Sequence, residues 1–519
     1  MDWDACRFAR PRSLNIDSDA PAASRMFGKP KAQTTVLSRY EKIARIGAAS
    51  FFILIVLAYF ALIGIGQWQA DEFADFARSE RPFTAFFDRL AWSPRPLSES
   101  LFALYGRLTL ELKHPLTGGF LGLLWIVFLL AGLAARFGDD HRNIRDRPGF
   151  CEVAFTGLAL IAAFLTSNRL TEVFYWPAGA VAYLPTLSAS LFVFLYVAQG
   201  ALDSSKGRLR CGVALVCAAL CSETGAFFAV SYAIVAIALE VVRQDRRHTD
   251  PRGPRPFGWL LLPGICGALV LITAWLNRYR MSEPVPAELS ATIGHPAASL
   301  AAALSHLATT MLGPGQQQHG WIVLNLEFFS IAFLAAGISL HWSRIGPISP
   351  RRRRDIICLA AAFLLASLLT LIATYIHHGL AVGERHDVLV RCWARLAAAC
   401  AAILVAGSPR LQRVREHHLL QACAPVCLIV GVAVLWHVAP LMREYRAYGA
   451  VYRTIRANFN SGFASGSEPI EWLLPPNRGV ITPAAIEPGT YSRDSSSHYP
   501  AYILGYFDKR TIVVREYSR

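Results

Sequence analysis

The residues best placed for chemistry lie together near the start of the chain. Gln67-Trp68-Gln69-Ala70-Asp71-Glu72-Phe73-Ala74-Asp75 holds three carboxylates within five positions. It directly follows Gly47–Gly66, an apolar run without a charged residue. A carboxylate at a membrane edge can take a proton from a hydroxyl group, above all where burial raises its pKa. Asp71 and Glu72 are therefore candidates for a general base. Asp75 can support them or, with Asp71, offer hard oxygen ligands to a divalent cation. No third ligand is evident in the same stretch, so a divalent cation is an option without an assigned site. The plain alternative is an acidic start to a solvated loop.

Such a cluster is only useful if the chain around it spans a membrane, and the composition says that it does. Of 519 residues, 54% are hydrophobic and 17% charged, and the mean hydropathy is +0.36. Uncharged runs of roughly 20 residues, enough to cross about 30 Å of hydrocarbon, recur along the chain. The net charge of +15 does not point to nucleic acid. The basic residues cluster in short segments between apolar runs, as a positive-inside topology requires. Most of the eleven cysteines fall inside apolar runs and read as small buried thiols. No CxxC pair occurs.

The expected fold is an all-α polytopic membrane protein with about eleven spans. Residues 1–42 form a cytoplasmic tail without the features of a signal peptide. Residues 43–438 form the transmembrane domain, with a first outer loop at 67–116 containing short surface helices. Residues 439–519 form a small extracytoplasmic segment of α/β character. In it, Tyr502-Ile503-Leu504 and Thr511-Ile512-Val513-Val514 are expected as strands about a turn at Asp508-Lys509, after an amphipathic helix at Leu441–Phe459. Cys211–Cys221 and Gly225–Leu239, separated by Ser222-Glu223-Thr224, predict a hairpin whose tip is buried in protein. About 29 of the 51 Lys and Arg lie on the cytoplasmic side and about ten in the outer loops. The protein is thus expected in the cell (inner) membrane, N-terminus inside and C-terminus outside. Trp68, Trp176, Trp275, Trp321 and Trp436 fall at outer span ends, as an aromatic belt would.

The outer side also carries cations suited to an anionic phosphate: Arg95, Arg169, Arg278, Arg280 and Arg385. Arginine holds phosphate bidentately. Arg391 and Arg395 lie deeper in the span after Arg385 and share one face, where they face a cavity or snorkel outward. Glu223 and Glu327 sit in apolar surroundings, where pairing with one of these arginines is the simpler reading. Glu172 reads as a turn partner of Arg169. Tyr175, Trp176 and Tyr183 can stack on a sugar or serve the belt. His319, His377 and His378 can meet phosphate or metal, or stand in solvent.

An acidic pair just after the first span, within a large first outer loop, resembles the GT-C superfamily of membrane glycosyltransferases. Trp92-Ser93-Pro94-Arg95-Pro96-Leu97, Phe174-Tyr175-Trp176-Pro177-Ala178-Gly179 and Ser222-Glu223-Thr224-Gly225 are similar to passages of uncharacterised bacterial members. The resemblance implies an inverting transfer of a sugar from a polyprenyl-phosphate donor. The acceptor would be a glycolipid, polysaccharide or protein on the outer face. It also implies Asp71 or Glu72 as base. Arg95, Arg169, Arg278 and Arg385 are assigned to the donor phosphate. Asp75, Tyr175, Trp176, Glu223 and His377 are assigned to the substrate pocket. The chain lacks the WWDYG-type motif of oligosaccharyltransferases, which argues against asparagine-linked transfer. A flippase for lipid-linked sugars, or a polysaccharide polymerase, is the alternative. A transporter is expected to show paired repeats with midplane charges in both halves, and neither is seen.

Overall fold

A computed structural model of the chain describes residues 31–77, 86–87, 89–91, 93–133, 150–166, 170–244, 258–277, 295–312, 320–342, 348–378, 384–408, 419–464, 466, 469–476, 486–494 and 498–517. The protein is mostly helical, with a small sheet near its C-terminus. A helix lies at each expected span, because each apolar run is rich in Leu, Ala and Phe and bounded by Pro, Gly or charge. These are α1 (Lys31–Phe60, extended by a 3₁₀ turn at Ala61–Ile65), α4 (Thr117–Leu133), α5 (Phe150–Leu165), α6 (Pro177–Ala198), α7 (Ser205–Cys221), α8 (Glu223–Gln244), α9 (Gly258–Asn277), α11 (Gly320–Trp342), α12 (Pro350–His378), α13 (Glu384–Ala406) and α14 (Leu419–Phe463). Three shorter helices lie between them: α2 (Ala70–Ala77), α3 (Pro96–Leu112) and α10 (Pro296–Leu312).

Among the described residues, six of these helices are long and apolar enough to cross a membrane: α1, α6, α8, α9, α12 and α13. Their burial sets the layout. In α6, 89% of the apolar window is buried, against 22% in α9, so α6 is the central column and α9 is peripheral. The faces of α4, α8 and α9 expose Leu123, Ile126, Leu130, Ile234, Leu262 and Leu269. A soluble protein rarely shows so large an apolar surface, and here it matches lipid.

The expected hairpin is present. Helices α7 and α8 are separated by Ser222 alone, which is fully buried. Its hydroxyl accepts the Gly225 N–H at 2.9 Å, a standard N-cap, and meets the Thr186 hydroxyl of α6 at 2.7 Å. Gly225 permits the tight return, since a Cβ there would stand 1.9 Å from the Ala218 carbonyl oxygen.

The C-terminal segment differs from expectation in two respects. The apolar part of α14 and the amphipathic helix after it are one continuous helix of 45 residues. Tyr502-Ile503-Leu504 is not a strand; it lies in α15 (His498–Phe507). The reason is spacing: Ile503, Tyr506 and Phe507 recur at helical intervals and are all buried. Thr511–Glu516 is a strand as expected, β3, at the centre of a three-stranded sheet. It pairs in parallel with β1 (Ile470–Leu474) and antiparallel with β2 (Gly489–Ser492). Asp508 turns the chain between α15 and β3 with φ of 51°.

Candidate functional site

The C-terminal segment is docked through Trp68 onto the region that follows α1. Its ring packs within 5.1 Å of the Phe459 ring and 5.4 Å of the Tyr506 ring. Its indole N–H donates to the Tyr105 hydroxyl at 2.7 Å, and burial pushes the Tyr105 phenol up from its ordinary pKa. Trp68 and Trp176 are both buried, so neither belongs to an interfacial belt. They are hydrogen-bonded parts of the interior. Trp275 is about half exposed, at 49%, as a belt residue should be. The side chains of Trp321 and Trp436 lie outside the described residues.

Glu72 is completely buried and surrounded by donors. It accepts the Gln69 N–H at 2.8 Å, closing the first turn of α2 as the acidic half of a capping box does. It also accepts the Trp176 indole N–H at 2.8 Å and the Ala178 N–H at 3.0 Å. Trp176 and Pro177 begin α6, so Glu72 caps a second helix from a distance and sits at the positive end of its dipole. The expectation that Glu72 serves as a base therefore meets a physical objection. Three donors occupy its lone pairs, which is the setting of an anchor. Asp71 lies one position earlier in α2, and its side chain is outside the described residues.

Trp176 is placed by a π-helical turn, Thr171–Tyr175, packed against the first turn of α6. Gly179 allows that approach: a Cβ there would lie 1.9 Å from the Glu172 carbonyl oxygen. Single π turns are recurrent at functional sites. Tyr175, expected at the substrate pocket, instead faces the core. Its hydroxyl donates to the Tyr59 carbonyl at 2.9 Å and its ring meets Trp125.

Arg385 stands beside Trp176. Its guanidinium carbon is 5.6 Å from the Trp176 ring centre and 5.8 Å from that of Tyr183, a cation held by two aromatic faces. Its Nε is buried without a hydrogen-bond partner among the described residues. Arg385 is fixed at its backbone instead, where its N–H donates to Glu172 at 3.2 Å. Glu172 thus caps α13 as Glu72 caps α6; Arg169, its expected partner, is outside the described residues.

Arg95 approaches the same ring, with its guanidinium carbon 5.9 Å from the Tyr183 centre. It begins α3 ahead of Pro96, and its Nε donates to Glu223 at 2.6 Å. Glu223 is the first residue of α8, so the hairpin tip is tied to the start of α3. Burial works against the Arg95 charge, but Glu223, then Tyr183 and Glu99, outweigh it and hold the guanidinium well above its ordinary pKa. The Tyr183 hydroxyl also lies 3.4 Å from His386 Nε2. The residues brought together are thus Glu72, Trp176, Arg385, Tyr183, Arg95 and Glu223. Tyr183 links the two arginines; its signal was its place two turns into the helix that Trp176 begins. His386 was overlooked, and its only signal was adjacency to Arg385.

Other expected site residues lie elsewhere. Asp75 pairs with Arg89, which also binds Glu99, a bracket between α2 and α3. His377 packs near Trp275, their rings 6.2 Å apart, joining α12 to α9. Arg391 pairs with Asp387 at 2.9 Å, and His306 of α10 meets the same carboxylate at 3.2 Å. Arg278, Arg280 and His319 and the side chains of Glu327 and His378 are outside the described residues. Among the described residues no three His, Cys, Asp or Glu side chains converge as a metal site would need. Comparison with known protein families, curated proteins and solved structures finds no match for this chain.

Proposed function

We propose that the protein is a GT-C-type membrane glycosyltransferase that uses a polyprenyl-phosphate sugar donor. The reading includes eleven spans, with α4, α5, α7, α11 and α14 joining the six long apolar helices. It places the N-terminus in the cytoplasm, the C-terminal segment outside, and the protein in the cell (inner) membrane.

One observation carries the reading: Arg385 is held between Trp176 and Tyr183 and, among the described residues, no carboxylate pairs with its guanidinium. The nearby acids are otherwise employed. Glu72 and Glu172 accept helix N-terminal N–H groups, and Glu223 is taken by Arg95. A half-buried cation without a carboxylate partner among the described residues, close to a second arginine, suits a doubly charged phosphate that forms during reaction. In the proposed step an acceptor hydroxyl attacks the anomeric carbon of the donor. The bond from that carbon to the phosphate oxygen breaks, and the phosphate leaves with the electron pair toward Arg385 and Arg95. Asp71 takes the hydroxyl proton. Attack opposite the leaving group inverts the anomeric centre.

The test is the glycolipid profile of a strain lacking the gene, complemented with wild type, Arg385→Ala or Asp71→Asn. Unmodified acceptor should accumulate with either variant. A wild-type profile with Arg385→Ala would sink the proposal. A flippase would instead leave donor on the inner face and turn over no sugar in a reconstituted assay.

A further inference from the structure

The part of α14 beyond its apolar half carries a stripe of unneutralised charge. Arg443, Arg446, Arg453 and Arg456 are all exposed, with Tyr445 and Tyr452 between them on the same face. None of the four arginines makes an ion pair or hydrogen bond with a described residue. The single carboxylate between Leu441 and Phe463 is Glu444, which is fully buried on the opposite side. At about 3.6 residues per turn, Arg446, Arg453, Arg456 and both tyrosines fall within about 120° of the helix circumference, with Arg443 about 60° beyond Arg446, so the charges share one broad side of the helix.

The height of the stripe decides what it can meet. The Tyr445 hydroxyl donates to the Ala58 carbonyl, and Tyr448 packs against Gly64. This turn is therefore level with the end of the apolar segment Ile46–Ile65. From Arg446 to Arg456 the helix then rises about 15 Å. A headgroup layer is about 5–7 Å deep on each side of the hydrocarbon. Arg443 and Arg446 reach lipid phosphates, but Arg453 and Arg456 stand beyond them. A partner that fits the whole stripe starts at the bilayer and extends away from it, bearing negative charge and faces that stack on tyrosine.

We infer that this face binds the anionic saccharide headgroup of a glycolipid anchored in the same membrane. Arginines pair with its carboxylate or phosphate groups, and Tyr445 and Tyr452 offer rings to its sugars. The inference rests on the transferase reading only in naming this lipid as the acceptor; the binding itself is measured without turnover.

The experiment uses the full chain in phosphatidylcholine nanodiscs. Three fluorescent probes are compared: a sialylated glycolipid, its neutral asialo counterpart, and phosphatidylglycerol. Energy transfer from protein tryptophan to the probe reports enrichment around the chain. The sialylated probe should be enriched over the asialo probe. Arg453→Gln with Arg456→Gln should weaken that enrichment by about tenfold, the scale of lost charge-assisted contacts, while leaving phosphatidylglycerol unchanged. Equal enrichment of sialylated and asialo probes overturns the inference. So does a double variant that binds as wild type, or one that loses phosphatidylglycerol to the same degree. Arg385→Ala keeps probe binding in either case. Since no donor is present, this binding pattern together with a wild-type glycolipid profile in the Arg385→Ala strain would defeat the transferase reading and leave this one standing.

Discussion

The indole N–H of Trp176 donates to the Glu72 carboxylate at 2.8 Å across 104 positions of chain. That bond joins α2 to the start of the central helix α6. It also commits Glu72 to donors, as an anchor between two helices.

Loss of Glu72 should therefore appear as a loss of stability. Glu72→Ala strands the Trp176 indole, the Ala178 N–H and the Gln69 N–H, each costing about 1–3 kcal/mol when buried without a partner. Thermal unfolding in detergent should show a clear drop for Glu72→Ala and none for Asp71→Asn. Equal melting of Glu72→Ala and wild type would remove the anchor role.

Arg385 should behave in the opposite way. Its guanidinium makes no ion pair with a described residue, so its removal costs little folding energy. Arg385→Lys keeps the charge but loses the planar fork and the stack on two rings. Sugar transfer should fall by about a hundredfold, the scale of losing one electrostatic contact to a transition state, with unchanged melting. Full activity in Arg385→Lys would show that a point charge is enough and that the stack is incidental.

The Arg95–Glu223 pair is partly buried, its side chains 22% and 24% exposed. A double-mutant cycle with Arg95→Gln and Glu223→Gln should give a coupling of about 1–3 kcal/mol. The double variant should be more stable than the sum of the single losses. Simple additivity would mean that the hairpin tip and the first loop do not depend on this contact.

Gly179 offers the sharpest steric test. A methyl group there meets the Glu172 carbonyl at 1.9 Å, and backbone is what must yield. Gly179→Ala should cost about 1–3 kcal/mol or more through overpacking. It should also displace both Glu172 and Trp176, so transfer and melting fall together. A variant with normal melting and activity would mean that the π turn is not under this constraint.

Much of the framework was legible because lipid imposes a simple rule on sequence. Each uncharged run became a helix, and the buried hairpin at Ser222 followed from two runs too close together for any other path. The strand assigned to Tyr502–Leu504 failed because three apolar residues in a row do not reveal a period; the helical one needed Tyr506 and Phe507. The site was legible in its parts, since Arg95, Glu223, Trp176 and Arg385 were all named. Their grouping was not. It rests on contacts across 128 positions in the Arg95–Glu223 case, and residue type alone does not choose between Arg95 and Arg385 for Glu223. The anchoring of Glu72 was not legible, because nothing local signals that a helix starting at Pro177 will present its N–H groups to it.

Trp176 also does something by what it prevents. Its edge is held by Glu72 and its face by Arg385, so one flat side chain keeps an acid and a base apart that would otherwise collapse into a salt bridge. The ring acts as an insulator, preserving an uncancelled positive charge in a place where opposite charges are within reach. A smaller residue at that position would short the two together and silence the cation without altering either charged group.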